Sequence, residues 1–372
     1  MKVFPRLLCS VSLVLIAMIS INLVGCGGGG GGGGSVTGNE YLGTQSPGDV
    51  WNWTIGVSEF SAENETLGYT YSGDVEQLGN GFLKLTISST TDTGASSGDV
   101  AYALEYPEVA LLVKPDGEDS DVIVCAGQGA LPTSDASYNY VNMPHDAWTE
   151  SDEVWGVAES TVNGTNFTFD LYKWLITNTT PAHSSEELGL AFTGSAGRLD
   201  ANTGDTTIAI TPAGVFIGDN GPNSGGFVGV EAPASDMGTT TIFQEDHQFL
   251  GVLFKDGSTD PDEDDTEPIW ASIDSSAGNY LAGGSFDGSD FENATPGDES
   301  VRLTISSEIQ PGVFSGQLTD YGTNGIYNGG TDDDSVSDFC FLMNEINGKY
   351  FIFGISLDGY SDKPYNFLVI EQ

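Results

Sequence analysis

The sequence predicts an all-β protein with two related antiparallel β-barrel or β-sandwich units in tandem after a glycine-rich tether. Three observations predict it. Short runs alternate apolar and polar side chains with period two, turn dipeptides punctuate those runs, and two stretches of the chain resemble each other in the same order.

Alternation is clearest in Leu83-Lys84-Leu85-Thr86-Ile87-Ser88, where every apolar side chain falls on one face and every polar one on the other. Further strand candidates are Trp51 to Ile55, Ala101 to Tyr106, Val109 to Lys114, Tyr138 to Met143, Phe167 to Trp174, Thr206 to Ile210, Phe249 to Phe254, Tyr350 to Leu357 and Tyr365 to Ile370. Some of these alternate and others are continuously apolar. Asn80-Gly81, Asp116-Gly117, Asn163-Gly164, Asn347-Gly348 and Asp358-Gly359 are dipeptides that suit the positive φ angles of tight hairpin turns.

The repeat aligns Leu83-Lys84-Leu85-Thr86-Ile87-Ser88-Ser89 with Val301-Arg302-Leu303-Thr304-Ile305-Ser306-Ser307. Further on, Tyr138-Asn139-Tyr140-Val141 follows Ser134-Asp135 as Tyr365-Asn366-Phe367-Leu368 follows Ser361-Asp362. The expected division is a signal segment over 1–25, a tether over 26–47, a first β domain over 48–250 and a second over 251–372. Within the first, the repeat copy covers about 48–147, and the strand-rich stretch after it either extends that domain or forms its own. An integral outer-membrane barrel fits less well, because the outward positions of the clearest strand are Lys84, Thr86 and Ser88 rather than a lipid-facing apolar band.

The first 26 residues have their own logic. Lys2 and Arg6 make a positive start, Val11 to Ile21 is almost continuously apolar, and Leu23-Val24-Gly25-Cys26 closes the stretch. The apolar run is shorter than the roughly 20 residues a bilayer-spanning helix needs. Leu23-Val24-Gly25-Cys26 resembles the lipobox of bacterial lipoproteins. That resemblance implies cleavage before Cys26, diacylglyceration of its sulfur, N-acylation and attachment to a membrane through lipid. With Gly27 rather than Asp after the cysteine, it further implies the outer membrane, on either face. One acyl chain binds only marginally, and stable anchoring takes at least two. Gly27 to Gly34 are eight consecutive glycines, which lose too much backbone entropy to fold. A coil of about 21 residues reaches roughly 25 Å.

Charge narrows the partners. The chain carries 54 acidic against 10 basic residues, a net −44, and every acid lies after Cys26. Such a body repels phosphate backbones, which excludes nucleic acid as a partner. Adaptation to a salty habitat or screening by Ca²⁺ would each relieve the self-repulsion. Cys125 and Cys340, each inside an apolar run, are expected as buried free thiols rather than a disulfide.

No catalytic constellation emerges. Gly94-Ala95-Ser96-Ser97-Gly98 fits GxSxG, but a strand candidate follows where a nucleophile elbow needs a helix, so a hairpin loop is the expected reading. His145, His183 and His247 show no metal-ligand spacing. Asp260, Asp262 and Asp264 occupy the first, third and fifth positions of an EF-hand-like loop. Asp265 and Ala271 replace its glycine and its glutamate, which leaves a weak Ca²⁺ candidate and no other cofactor. Trp51, Trp53, Trp148, Trp155 and Trp174 cluster in the first half, and Trp51 and Trp53, on one strand face, are expected in a β core rather than as stacking platforms for sugars. The expected role is therefore binding or structural, at the cell surface, toward an unidentified protein or glycan. The alternatives are a small-molecule or carbohydrate-binding barrel and, behind it, a hydrolase.

Overall fold

The structure is a computed structural model that describes residues 36–45, 48–79, 81–115, 122–143, 153–161, 165–173, 188–195, 197–202, 204–220, 225–255, 267–276, 280–285, 301–320, 335–356 and 365–372. Cys26, the Asp260–Asp265 run, His145, His183, Trp148 and Trp174 lie outside the described residues. The predicted all-β, antiparallel, barrel-forming class holds, and the closed eight-stranded barrels number three.

Barrel one is built from β1 (Asn39–Gln45), β2 (Val50–Ile55), β3 (Glu59–Asn64), β4 (Tyr69–Gly79), β5 (Phe82–Thr90), β6 (Val100–Tyr106), β7 (Ala110–Pro115) and β8 (Ile123–Gly127). Barrel two is β9 (Ala136–Asn142), β10 (Glu153–Thr161), β11 (Asn166–Lys173), β12 (Leu188–Ser195), β13 (Arg198–Ala201), β14 (Thr207–Ile210), β15 (Val215–Asp219) and β16 (Gly226–Glu231). Barrel three is β17 (His247–Lys255), β18 (Glu267–Ile273), β19 (Tyr280–Ser285), β20 (Val301–Gln310), β21 (Val313–Asp320), β22 (Ser335–Ile346), β23 (Lys349–Ser356) and β24 (Tyr365–Glu371). Each strand pairs with the next, and the last pairs back onto the first through Gly43↔Cys125, Val141↔Val228 and Gly251↔Val369. A single 3₁₀ turn, Ile242–Gln244, precedes barrel three.

Two boundaries differ from the sequence reading. The tether was expected to run to residue 47, but β1 begins at Asn39, with Tyr41 pointing into the lumen and Leu42 outward. Its polar Asn, Glu, Thr and Gln hid the strand from any hydrophobic pattern. The strand-rich stretch after 147 belongs to a barrel of its own that starts at Ala136. The sequence match 83–89 to 301–307 pairs the fifth strand of barrel one with the fourth of barrel three, and Tyr138–Val141 to Tyr365–Leu368 pairs a first strand with an eighth. Alternating strands with small polar residues match one another wherever they sit in a barrel.

The lumens are filled by the chain itself. In barrel one Trp51 and Trp53 stack at 5.8 Å, Phe60 lies 5.9 Å from Trp53, and Leu83, Leu85 and Cys125 complete the packing. Gly43 has no side chain because one there would meet the Cys125 sulfur at 2.3 Å. Barrel two holds Tyr138, Tyr140, Phe167, Phe169, Phe192, Phe216 and Phe227, with Phe216 4.8 Å from Tyr138 and 5.1 Å from Phe227. Barrel three holds Phe249, Phe314, Phe339, Phe341, Met343 and Phe367.

A fourth core lies between the barrels. The first and eighth strands of barrel one pack on the sixth and seventh of barrel two, and the same strands of barrel two pack on the sixth and seventh of barrel three. The seam is continuous and includes Leu42, Val124 and Leu112 of barrel one, Val141, Ile217 and Val228 of barrel two, and Leu250, Leu342, Phe353 and Leu368 of barrel three. Exposing each such side chain would cost about 1.5–3 kcal/mol, so the barrels are stable together rather than as separate domains. The gap beside Leu42, Val50 and Ile217 is about 10 Å³, room for one water at most. Polar contacts key the seam: Arg198 to Glu65 at 2.7 Å, Asn139 Nδ2 to the Pro311 carbonyl at 2.8 Å, and Asn344 Nδ2 to the Glu231 carbonyl at 2.6 Å. Tyr106 and Phe351, 5.6 Å apart, join barrel one to barrel three.

Candidate functional site

The turns between the sixth and seventh strands of all three barrels meet at one place. These are Pro107-Glu108-Val109, the Pro212-Ala213 turn and Asn347-Gly348. Between them, and beside Gly38, Asn39, Glu40, Gln128 and Gly129, lies an open cleft of about 560 Å³. That size falls in the range of roughly 300–1,000 Å³ for small-ligand sites. Because strands alternate in direction, this is also the end at which the chain enters barrel one, at Asn39, and at which it passes from each barrel to the next. The strands that finish at Pro115, Asn142, Lys173, Lys255, Ser285, Asp320 and Ser356 run toward the opposite end.

The cleft wall is held from beneath. The buried Tyr41 hydroxyl donates to Glu105 Oε1 at 2.7 Å, and Asn39 Nδ2 donates to the same oxygen at 2.9 Å. Burial and the neighbouring Glu105 carboxylate push the Tyr41 hydroxyl well above the usual tyrosine range, so it remains a donor at any physiological pH. Val109 N–H bonds the Tyr106 carbonyl at 3.0 Å, closing a turn with Pro107 at its second position and Glu108 at its third. Glu108 there has φ of 63°, and Gly127 opposite is small because a Cβ would meet the Glu108 carbonyl at 2.2 Å.

The sequence-predicted sites fall elsewhere. Ser96 sits in the β5–β6 hairpin loop, as expected, where its N–H bonds Asp99 Oδ2 at 2.8 Å and no helix follows. His247 pairs with Glu371 at 2.7 Å and packs edge-on against Tyr350. Among the described residues no three His, Cys, Asp or Glu side chains are placed to hold a metal ion. Cys125 and Cys340 are buried free thiols, the first in the lumen of barrel one and the second in the seam, and burial raises both well above the usual thiol range. Trp51 and Trp53 are core, and Trp155 is in the seam, stacked on Tyr172 at 4.1 Å. The cleft residues Asn39, Glu40, Glu108 and Gln128 were not anticipated. The available signal was Pro107-Glu108, a charged residue where a turn of this kind usually takes Gly or Asn.

No family model matches the chain, and no curated protein matches its sequence. Among solved structures, the vaccine antigen transferrin-binding protein B from Haemophilus parasuis, in a point-mutant form, is similar at 9% identity and a TM-score of 0.29. The alignment covers 87% of this chain and 65% of that protein. Nothing about ligand or partner follows from it. No helix among the described residues is long and apolar enough to cross a membrane.

Proposed function

We propose that this chain is a lipid-anchored surface protein whose three-barrel body works as a rigid binding or structural module, using its outer surface rather than its lumens. One observation carries this reading: the interior of every barrel is packed with the chain's own side chains, seven of them aromatic in barrel two alone. A carrier of the lipocalin type keeps that space for its ligand. Support for the anchor comes from Leu23-Val24-Gly25-Cys26 and the Gly27–Gly34 run that follows it in the sequence. The proposed role is binding; the GxSxG segment is a hairpin loop and His247 is paired with Glu371.

Metabolic labelling with a fatty-acid probe tests the anchor. Label should appear on the native chain and vanish in Cys26→Ser, with the protein moving from the membrane to the soluble fraction. An unlabelled native protein with unchanged fractionation would refute it. Calcium binding by Asp260, Asp262 and Asp264 is a separate proposal, tested by thermal melts with and without EGTA at fixed ionic strength. A shared midpoint would discard a structural Ca²⁺ role.

A further inference from the structure

The cleft at the meeting of the three barrels has a chemistry of its own. Its wall carries the carboxamides of Asn39, Gln128 and Asn347, the carboxylates of Glu40 and Glu108, and the apolar rings of Pro107 and Pro212. No lysine, arginine or histidine is in that wall. Lys349, two residues beyond Asn347, lies instead over the Tyr106 ring, 5.3 Å from its centroid.

Glu108 is the informative residue. Glycines occupy all but two of the positive-φ positions among the described residues, and the two that are not glycine, Glu108 and Asn347, both line this cleft. Asn347 is accounted for by turn chemistry alone, since Asn-Gly is a favoured pair for a two-residue hairpin turn. Glu108 is not, because a left-handed conformation costs a Cβ-bearing residue roughly 1–2 kcal/mol that glycine would not lose. The chain keeps a long carboxylate side chain at the rim where the backbone prefers none.

We infer that this cleft binds a neutral, polyhydroxylated ligand, the ring hydroxyls of a short glycan. An anion would meet two carboxylates in a body of net charge −44. A cation uses only acceptors and makes no use of the carboxamide N–H groups of Gln128 and Asn347, Asn39 Nδ2 being already given to Glu105. Hydroxyls donate and accept, which suits carboxylates and carboxamides together, and the two proline rings offer apolar surface to the C–H face of a sugar. This deepens the binding role proposed above by giving it one ligand class, and it does not depend on the anchor.

Saturation-transfer NMR on the purified full chain tests it, with three panels: neutral mono- to tetrasaccharides, sialylated or sulfated sugars, and polyamines. At least one neutral sugar should give a saturable signal that the other panels do not. Glu108→Gly removes the carboxylate while giving the backbone the residue its φ prefers, so the variant should melt no lower than the native chain. It should bind that sugar at least about tenfold more weakly, the loss of one charge-assisted hydrogen bond. Neutral sugars bound equally by the variant, binding confined to either charged panel, or no binding in any panel would each overturn the inference. If the fatty-acid label is present while every sugar fails, the cleft proposal alone is lost.

Discussion

The lumens and the seam are both dry cores, yet they are built from different side chains. The lumen of barrel two is a stack of rings centred on Phe216, which contacts Tyr138, Tyr140, Phe167, Phe169 and Phe227 at 4.8–6.5 Å. The seam is mostly Leu, Val, Ile and Ala, with Ala126, Ala110 and Ala209 among its buried residues. Large rigid rings fill a cylinder whose wall is fixed by its hydrogen-bond ladder. Small aliphatic side chains let two sheet faces come close over a broad area. Aromatic rings dominate the filling of barrel two, rings mixed with aliphatic side chains fill barrels one and three, and aliphatic facing holds the three together.

This contrast orders the expected effects of mutation. Phe216→Ala should cost most, about 3–5 kcal/mol, because the barrel wall is unable to collapse into the hole. Chemical denaturation would read it as a lower midpoint at unchanged slope. Leu342→Ala in the seam should fall at the lower end of the range of about 2–5 kcal/mol for buried Leu to Ala, since barrels are able to shift toward the gap. A seam loss larger than the lumen loss would break the comparison.

The same contrast explains which strands were legible. Leu83 to Ser88 alternates because β5 has one face in the lumen and a more exposed one outside. Val122 to Cys125, Phe339 to Met343 and Phe351 to Ile355 are continuously apolar because β8, β22 and β23 are buried on both faces, by lumen and by seam. A continuous run therefore marked a barrel-to-barrel contact, and the sequence distinguished the two kinds of strand without saying why. β4 was illegible for the opposite reason: over Tyr69–Gly79 it buries only Val75. The cleft was not legible because its residues come from turns about 100 residues apart, brought together only once three barrels pack. Glu108 carried the one local sign, and it reads as strain only when its φ is known.

Smaller effects probe the supports of the cleft and the seam. Tyr41→Phe should cost about 1–3 kcal/mol by leaving the half-buried Glu105 carboxylate without that hydroxyl. It should also weaken any cleft ligand, measured by the same NMR titration. Burial alone would raise the Glu65 carboxyl, but hydrogen bonds from Arg198 and Asn52 and the guanidinium charge outweigh it and hold the group below its usual 4.5. Its folded value is depressed, so its stabilisation is present above about pH 4.5 and lost as pH falls through the lower folded value. Because the pair is partly exposed, Glu65→Gln should cost under about 1 kcal/mol at pH 7 and nothing measurable at about pH 2. Equal losses at both pH values would remove the ion pair from the seam.

The two thiols test the whole arrangement. Cys125 reports from inside barrel one, and Cys340 from the seam face of barrel three. Urea unfolding with pulse alkylation, read at each cysteine by mass spectrometry, should show both becoming reactive at a single shared midpoint, as one cooperative unit requires. Two separated midpoints would show barrels that unfold independently and would contradict the seam as the feature that makes them one body.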